Sequence, residues 1–297
     1  MNPNTHPTYA KWRCLIAACF GCALHVAGSG NAYAAPVVTS ATGSLASDVQ
    51  PAVANFRTLI GFGGGNNGVG GGPFANGFRN INWDVTPALV TDPNLLPGNF
   101  FNANSPRGLL MTTPGSGFLV SADAGGLTPA EFGSIDPSYL NTFQAFSAQR
   151  LFTALGSTIT NNTFFVPSSP GTPASVFGFG VVFSDVDITG STSLTFFDIN
   201  GAPLGVFNAP VFNNGFSFIG VSFDAGERIG SVRVNSGSDV LGFGVGDGGA
   251  IDVVAMDDFM YSEPQAVVPE PGTTALILLG VGSVAALRRR PPVTAFG

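Results

Sequence analysis

An all-β sandwich, jelly-roll-like within that class, is the fold this chain predicts, and three observations carry it. Apolar residues recur at every second position in short runs, most clearly at Phe177, Phe179, Val181 and Phe183, the period of a strand with one buried face. Turn-forming residues punctuate those runs about every 8–12 residues, with no helical pattern between them. Twenty-seven phenylalanines and few charged residues supply the apolar area for one substantial core and argue against disorder.

The elements follow in order. Residues 35–47 are small and polar and read as a leader without structure. Residues 48–60 place Val49, Val53, Phe56 and Leu59 with Ile60 on one face of a short helix, with Ser47 as its cap and Pro51 in its first turn. Residues 61–77 are glycine-rich and contain Asn66 and Asn67 but no Asp, which fits neither a calcium repeat nor a dinucleotide loop. They read as a linker or irregular loop within a sandwich domain spanning 48–263. From about Gly117 short strands follow, at residues 118–121, 150–154, 163–166, 176–186, 194–197, 204–207, 216–223, 229–234 and 251–261. Asn200-Gly201 marks a hairpin between the 194 and 204 runs. The small neighbours Gly178, Gly180 and Ser184 point to a close-packed or partly solvated second face on the 176–186 strand. Trp83 reads as a core anchor with one hydrogen-bond partner before it reads as a sugar platform. Arg79 and Arg107 are expected to pair with Asp84 and Asp92.

Both ends of the chain carry export signals. Lys11 and Arg13 precede an apolar run over 14–28, and Ala32-Tyr33-Ala34 is a small-x-small cleavage box, so residues 1–34 read as a signal peptide that leaves Ala35 first. Ile16-Ala17-Ala18-Cys19 has the form of a lipoprotein box, but the apolar stretch before Cys19 is shorter than the ~7–15 residues export needs. At the other end, residues 264–297 hold Val268, Pro269, Glu270 and Pro271, an apolar span over 273–287, and Arg288, Arg289 and Arg290. As a helix the span would measure roughly 22 Å, short against a hydrocarbon core of about 30 Å. The arginines keep its end on the cytoplasmic side.

That tail resembles the PEP-CTERM sorting domains of Gram-negative bacteria, which an exosortase recognises and cleaves during export. The resemblance implies an exosortase and the export machinery as partners, a transient stay in the inner membrane, and release to the cell surface or extracellular matrix. An unprocessed single-span anchor is the alternative. The middle of the chain, through Ile81-Asn82-Trp83-Asp84, residues 95–101, Ser105-Pro106-Arg107-Gly108 and Met256-Asp257-Asp258-Phe259, resembles secreted PEP-CTERM β proteins of unassigned role. Its strand order and closing Asp-Asp-Phe element also look like bacterial carbohydrate-binding jelly rolls, although fold alone does not license function.

Composition excludes several chemistries. Every Cys (14, 19, 22), both His (6, 25) and the single Lys (11) precede Ala34. The processed chain would then have no disulfide, no His or Cys zinc site, no Ser-His or Cys-His nucleophile and no Walker-type phosphate loop. Residues 48–270 hold eighteen acids and six arginines, a net charge of −12, which repels phosphate backbones and excludes nucleic acid as a partner. Two acidic groups stand out. Asp185 and Asp187 share a strand face, and Asp257 and Asp258 lie near the last strand with Asp247 and Asp252 before them. They read either as a structural Ca²⁺ site, since hard cations take carboxylate oxygens, or as solvated strand-end acids. Carboxylate catalysis, with Glu131 or Glu227 and one aspartate, is the remaining enzymatic route. The sequence therefore predicts a non-enzymatic exported sandwich that binds or structures exopolysaccharide. A carboxylate-based hydrolase or lyase, and a biofilm or adhesion component without a ligand, are the alternatives.

Overall fold

The computed structural model describes residues 35–267. In chain order the strands are β1 (Val37–Gly43), β2 (Phe78–Ile81), β3 (Leu109–Thr112), β4 (Gly117–Val120), β5 (Phe152–Leu155), β6 (Ile159–Val166) and β7 (Ser169–Ser175). There follow β8 (Gly178–Val186), β9 (Ser193–Asp198), β10 (Pro203–Asn208), β11 (Phe212–Ser222), β12 (Ile229–Asn235), β13 (Ala255–Ser262) and β14 (Gln265–Ala266). They form two seven-stranded antiparallel sheets. The first runs β1-β11-β8-β13-β5-β4 with β2 also on β13; the second runs β10-β9-β12-β6-β7-β14 with β3 on β6. The steps β7 to β8, β8 to β9, β10 to β11, β11 to β12 and β12 to β13 all cross between sheets. That is the connectivity of a jelly-roll-like sandwich. The Asn200-Gly201 hairpin joins β9 and β10, with Gly201 at φ 82°.

Period two sorts the side chains. Phe179, Val181 and Phe183 of β8 enter the core between the sheets, where they meet Val221, Phe259, Tyr261, Phe164, Phe196 and Val234. The alternate residues of β8 face the other way and are also buried. Helix α1 (Ala46–Gly61) covers them with Val49, Val53, Phe56 and Ile60, each worth about 1.5–3 kcal/mol on full burial. The helix sits close because Gly180 and Gly220 are register partners beneath it. A Cβ on Gly220 would lie 2.7 Å from the Phe56 ring, and one on Gly180 2.8 Å from it. The second face of the strand is close-packed, and glycine is what lets the ring reach the backbone.

The connection over residues 121–150 covers another part of the same outer face. It holds Phe132 and, in the single-turn helix α3 (Tyr139–Thr142), Tyr139, which pack with Leu119, Val253 and Ala255. Another single turn, α2 (Phe100–Ala103), places Phe101 edge-on to Trp83. Trp83 is fully buried, stacks on Phe152 at 4.1 Å and donates from Nε1 to the Asp257 carbonyl at 2.9 Å.

Several expectations are corrected. Residues 37–43, read as a leader without structure, pair with β11 through seven register positions. Its small residues, without an alternating apolar face, hid a strand that its pairing with β11 holds in place. Helix α1 begins at Ala46, so Leu45 and not Ser47 precedes it; Asp48 accepts the Leu45 N–H at 2.9 Å, and Pro51 falls beyond the first turn. Arg79 does not pair with Asp84 or Asp92. Its buried guanidinium is bidentate to Glu263, at 2.6 Å (Nε to Oε2) and 2.7 Å (Nη2 to Oε1), and donates to the carbonyls of Gly68, Gly70 and Gly71. The glycine-rich loop is thus an irregular segment fastened to the end of β13. Arg107 lies over the Phe101 ring and bonds Ser105, while Asp84 accepts the N–H groups of Gln149 and Arg150.

Because the Phe56 ring fills the space above Gly220, Gly220→Ala is expected to destabilise the exported protein by about 1–3 kcal/mol. Urea unfolding would measure it, and an unchanged midpoint would contradict the close approach of α1.

Candidate functional site

Two places in the described residues combine exposed or unpaired groups with a built surround. The first is a groove at the junction of α1, β1 and the β11–β12 turn. It is lined by Val37, Leu59, Phe62, Phe177, Asp224, Glu227 and Arg228 around a hollow of ≈ 240 Å³. Phe62 and Phe177 pair at 4.5 Å and 34°. Phe62 follows α1 at φ 48°, a conformation that ends the helix and turns the ring outward. It is 65 % exposed, beside Leu59 at 40 % and Val37 at 38 %. Contiguous apolar exposure of this kind makes the groove a candidate interaction site. Glu227 is buried at the groove wall and accepts the Ala225 N–H at 3.1 Å; Arg228 donates from Nε to Ser175 at 3.0 Å.

The second place is acidic. Asp185, Asp187 and Asp247 each bring one carboxylate oxygen within 4.8 Å of the others. Regular alternation would send Asp185 into the core between Phe183 and Val186. A φ of 69° at Asp185, opposite an irregularity in β11 between Phe212 and Phe216, turns it out instead. Asn214 N–H holds Asp185 Oδ1 at 2.7 Å, Asn213 Nδ2 holds Asp187 Oδ2 at 2.8 Å, and Val253 N–H holds Asp247 Oδ1 at 3.2 Å. Asp252 is fully buried beside them, its carboxylate taken by the N–H groups of Asp187 and Ile188 and the Ser191 hydroxyl. Burial foremost, with the Asp247, Asp187 and Asp252 charges adding to it and the Asn214 N–H opposing, pushes the Asp185 carboxyl up to about 7. Burial and the Asp187 carboxylate likewise push Asp247 up to about 6, against the Val253 N–H.

Asp257 and Asp258 do not join this group. A bulge in β13, where register with β8 shifts between Met256 and Phe259, turns both carboxylates to the outer face. Without it one of them would point into the core. Asp257 accepts the N–H groups of Phe146 and Ser147 at 2.6 and 3.2 Å, and Asp258 is paired with Arg57 and accepts the Ser147 hydroxyl at 2.7 Å. The four aspartates grouped from sequence are therefore two structures with different partners. Asp247 was visible in the sequence only as a neighbour of the last strand. Glu131 belongs to the 121–150 connection, burial raising its carboxyl, and like Glu227 it is outside the three-carboxylate group. The pairing of Phe62 with Phe177 had no sequence signal, because 115 residues separate them.

Comparison with known proteins bears on the ends of the chain. Residues 267–290 match the PEP-CTERM protein-sorting motif. The chain is thus an exported protein carrying an exosortase sorting signal, bound for the cell surface or extracellular space. The motif residues Val268, Pro269, Glu270, Pro271 and Arg288 to Arg290 fall within that match, though like Ala32 and Ala34 they lie outside the described residues. No helix among the described residues is long and apolar enough to cross a membrane; the expected span over 273–287 is outside them. No curated protein matches the chain. Among solved structures, the enzymatically active domain of tailspike protein 4 of bacteriophage CBA120 is similar over 56 % of this chain and 20 % of its own, at 19 % identity and a TM-score of 0.27. That likeness is too slight to carry fold or function.

Burial foremost, and then the Asp258 charge, holds the Asp257 carboxyl well above its ordinary value of 3.8, against the bonds from Phe146 and Ser147. The fold then keeps a proton that the unfolded chain has released. This group's contribution is full below the unfolded value and is lost as pH rises toward the folded one. Melting temperature should fall as pH climbs above about 4, and Asp257→Asn, neutral throughout, should flatten that slope. An identical slope in the variant would contradict the assignment.

Proposed function

We propose that the exported sandwich binds extracellular polysaccharide at the groove beside Phe62. The observation that carries this reading is the exposed Phe62 ring, paired with the half-buried Phe177, at a hollow with Asp224, Glu227 and Arg228 on its walls. Sugar rings present apolar C–H faces that pack on aromatic rings and hydroxyls that need polar partners. An apolar concavity with a few placed polar groups supplies both. The export signal delivers the chain to where such polymers lie, and its acidic balance favours a neutral glycan over a polyanion.

A second reading rests on the same groove. Asp224 and Glu227 both line it, and two carboxylates are the acid and base of glycoside hydrolysis, typically about 5–9.5 Å apart. Binding alone predicts retention of the protein on exopolysaccharide with no release of reducing ends. Phe62→Ala, at an exposed position, should then weaken retention about tenfold, the scale of an aromatic hot spot, with no loss of stability. Reducing-end release that vanishes in Glu227→Gln would install the hydrolase instead. No retention at all would leave a structural matrix component.

A further inference from the structure

The three-carboxylate group has a feature that solvated turn acids lack. Asp185 is 1 % exposed, and its Oδ2 has no hydrogen-bond partner. Asp187 Oδ1 is likewise shut from solvent and unpartnered. In both residues the other oxygen is braced by an asparagine from the irregular part of β11. Each carboxylate is therefore held at one oxygen and left open at the other, and the group includes oxygens no protein donor reaches. The three ion pairs among the described residues, Arg57–Asp258, Arg79–Glu263 and Arg150–Asp123, all lie elsewhere. Gathering such charges without a counter-ion is costly.

We propose that Asp185, Asp187 and Asp247 bind one Ca²⁺ ion. The donors are all hard oxygens, the chemistry that selects Ca²⁺ or Mg²⁺ over transition metals. Oxygens on one Ca²⁺ at bond lengths of about 2.3–2.6 Å lie up to about 5 Å apart, and one oxygen from each of the three carboxylates lies within 4.8 Å of the others, inside that reach. Three ligands from the protein leave the remaining positions to water, which places the affinity near the ~10⁻⁴–10⁻³ M of extracellular calcium modules. The ion would join two pieces of chain: the end of β8 with the turn directly after it, and the segment before β13 that carries Asp247. It would act at a place separate from the groove and is independent of what the groove binds.

A proton on Asp247, favoured by burial and the Asp187 carboxylate, is the competing way to relieve the charge, and calcium titration separates the two. The exported protein, stripped with chelator and held at pH 7.5, is titrated with CaCl₂ by calorimetry and melted with and without the ion. One Ca²⁺ per chain is expected, with a rise in melting temperature of about 5–10 °C at a hundredfold excess over Kd. Asp185→Asn and Asp247→Asn should each weaken binding at least tenfold, yet melt in chelator no lower than wild type, since each removes an uncompensated charge. Should the buried variant fail to fold, Asp247→Asn at its half-buried position gives the same reading. Absence of calcium binding in wild type, or binding that survives both substitutions, would overturn the proposal.

Discussion

Every residue of β8 and of β13 is buried, so the sheet at the centre of this protein must be covered on both faces. A two-layer sandwich covers only one. The second cover comes from α1 over one part of the outer face and from the 121–150 connection over another. Most of the irregular features of the chain follow from that demand. Gly180 and Gly220 are bare so that Phe56 can approach the backbone, and residues 121–150 form no long helix or strand because they only have to fill the remaining surface.

The same demand explains where charge is tolerated. An acid on a strand with two buried faces has no solvent side, so it must leave the alternation or find partners. Asp257 and Asp258 leave it by a bulge and meet the backbone of Phe146 and Ser147, and Arg57 of α1. Asp185 leaves it through a left-handed backbone opposite the irregular part of β11. Glu263, just past β13, is neutralised by the buried Arg79, which also gathers the carbonyls of the glycine-rich loop. Removing one member of a buried pair of this kind costs about 3–5 kcal/mol. These fastenings tie the cover layer to the sheet at named points.

Much of the β region was legible in the sequence because its strands obey period two. The run Phe179, Val181 and Phe183 announced the core face and, through its small neighbours, a close-packed opposite face, whereas Phe177, read with them, precedes β8 and packs with the cluster under α1 instead. The hairpin at Asn200-Gly201 and the amphipathic spacing of α1 were equally plain. What stayed hidden was held by partners distant in sequence. β1 is short of large apolar residues and lives on β11; β7 carries Pro170 and Pro173 and falls between the strands expected at 163–166 and 176–186; the Arg79–Glu263 pair joins positions 184 residues apart. The acids were visible as types but not as groupings, because a bulge changes which face a side chain takes and no local pattern reports it. The groove escaped for the same reason, since Phe62 and Phe177 belong to different elements.

The doubly covered sheet is the claim on which the rest stands, and amide hydrogen exchange tests it most directly. Amides of β8 and β13 should exchange slowest, through global unfolding alone, while those of the partly exposed edge strand β10 exchange through local opening. Exchange in β8 as fast as in β10 would contradict a sheet buried on both faces.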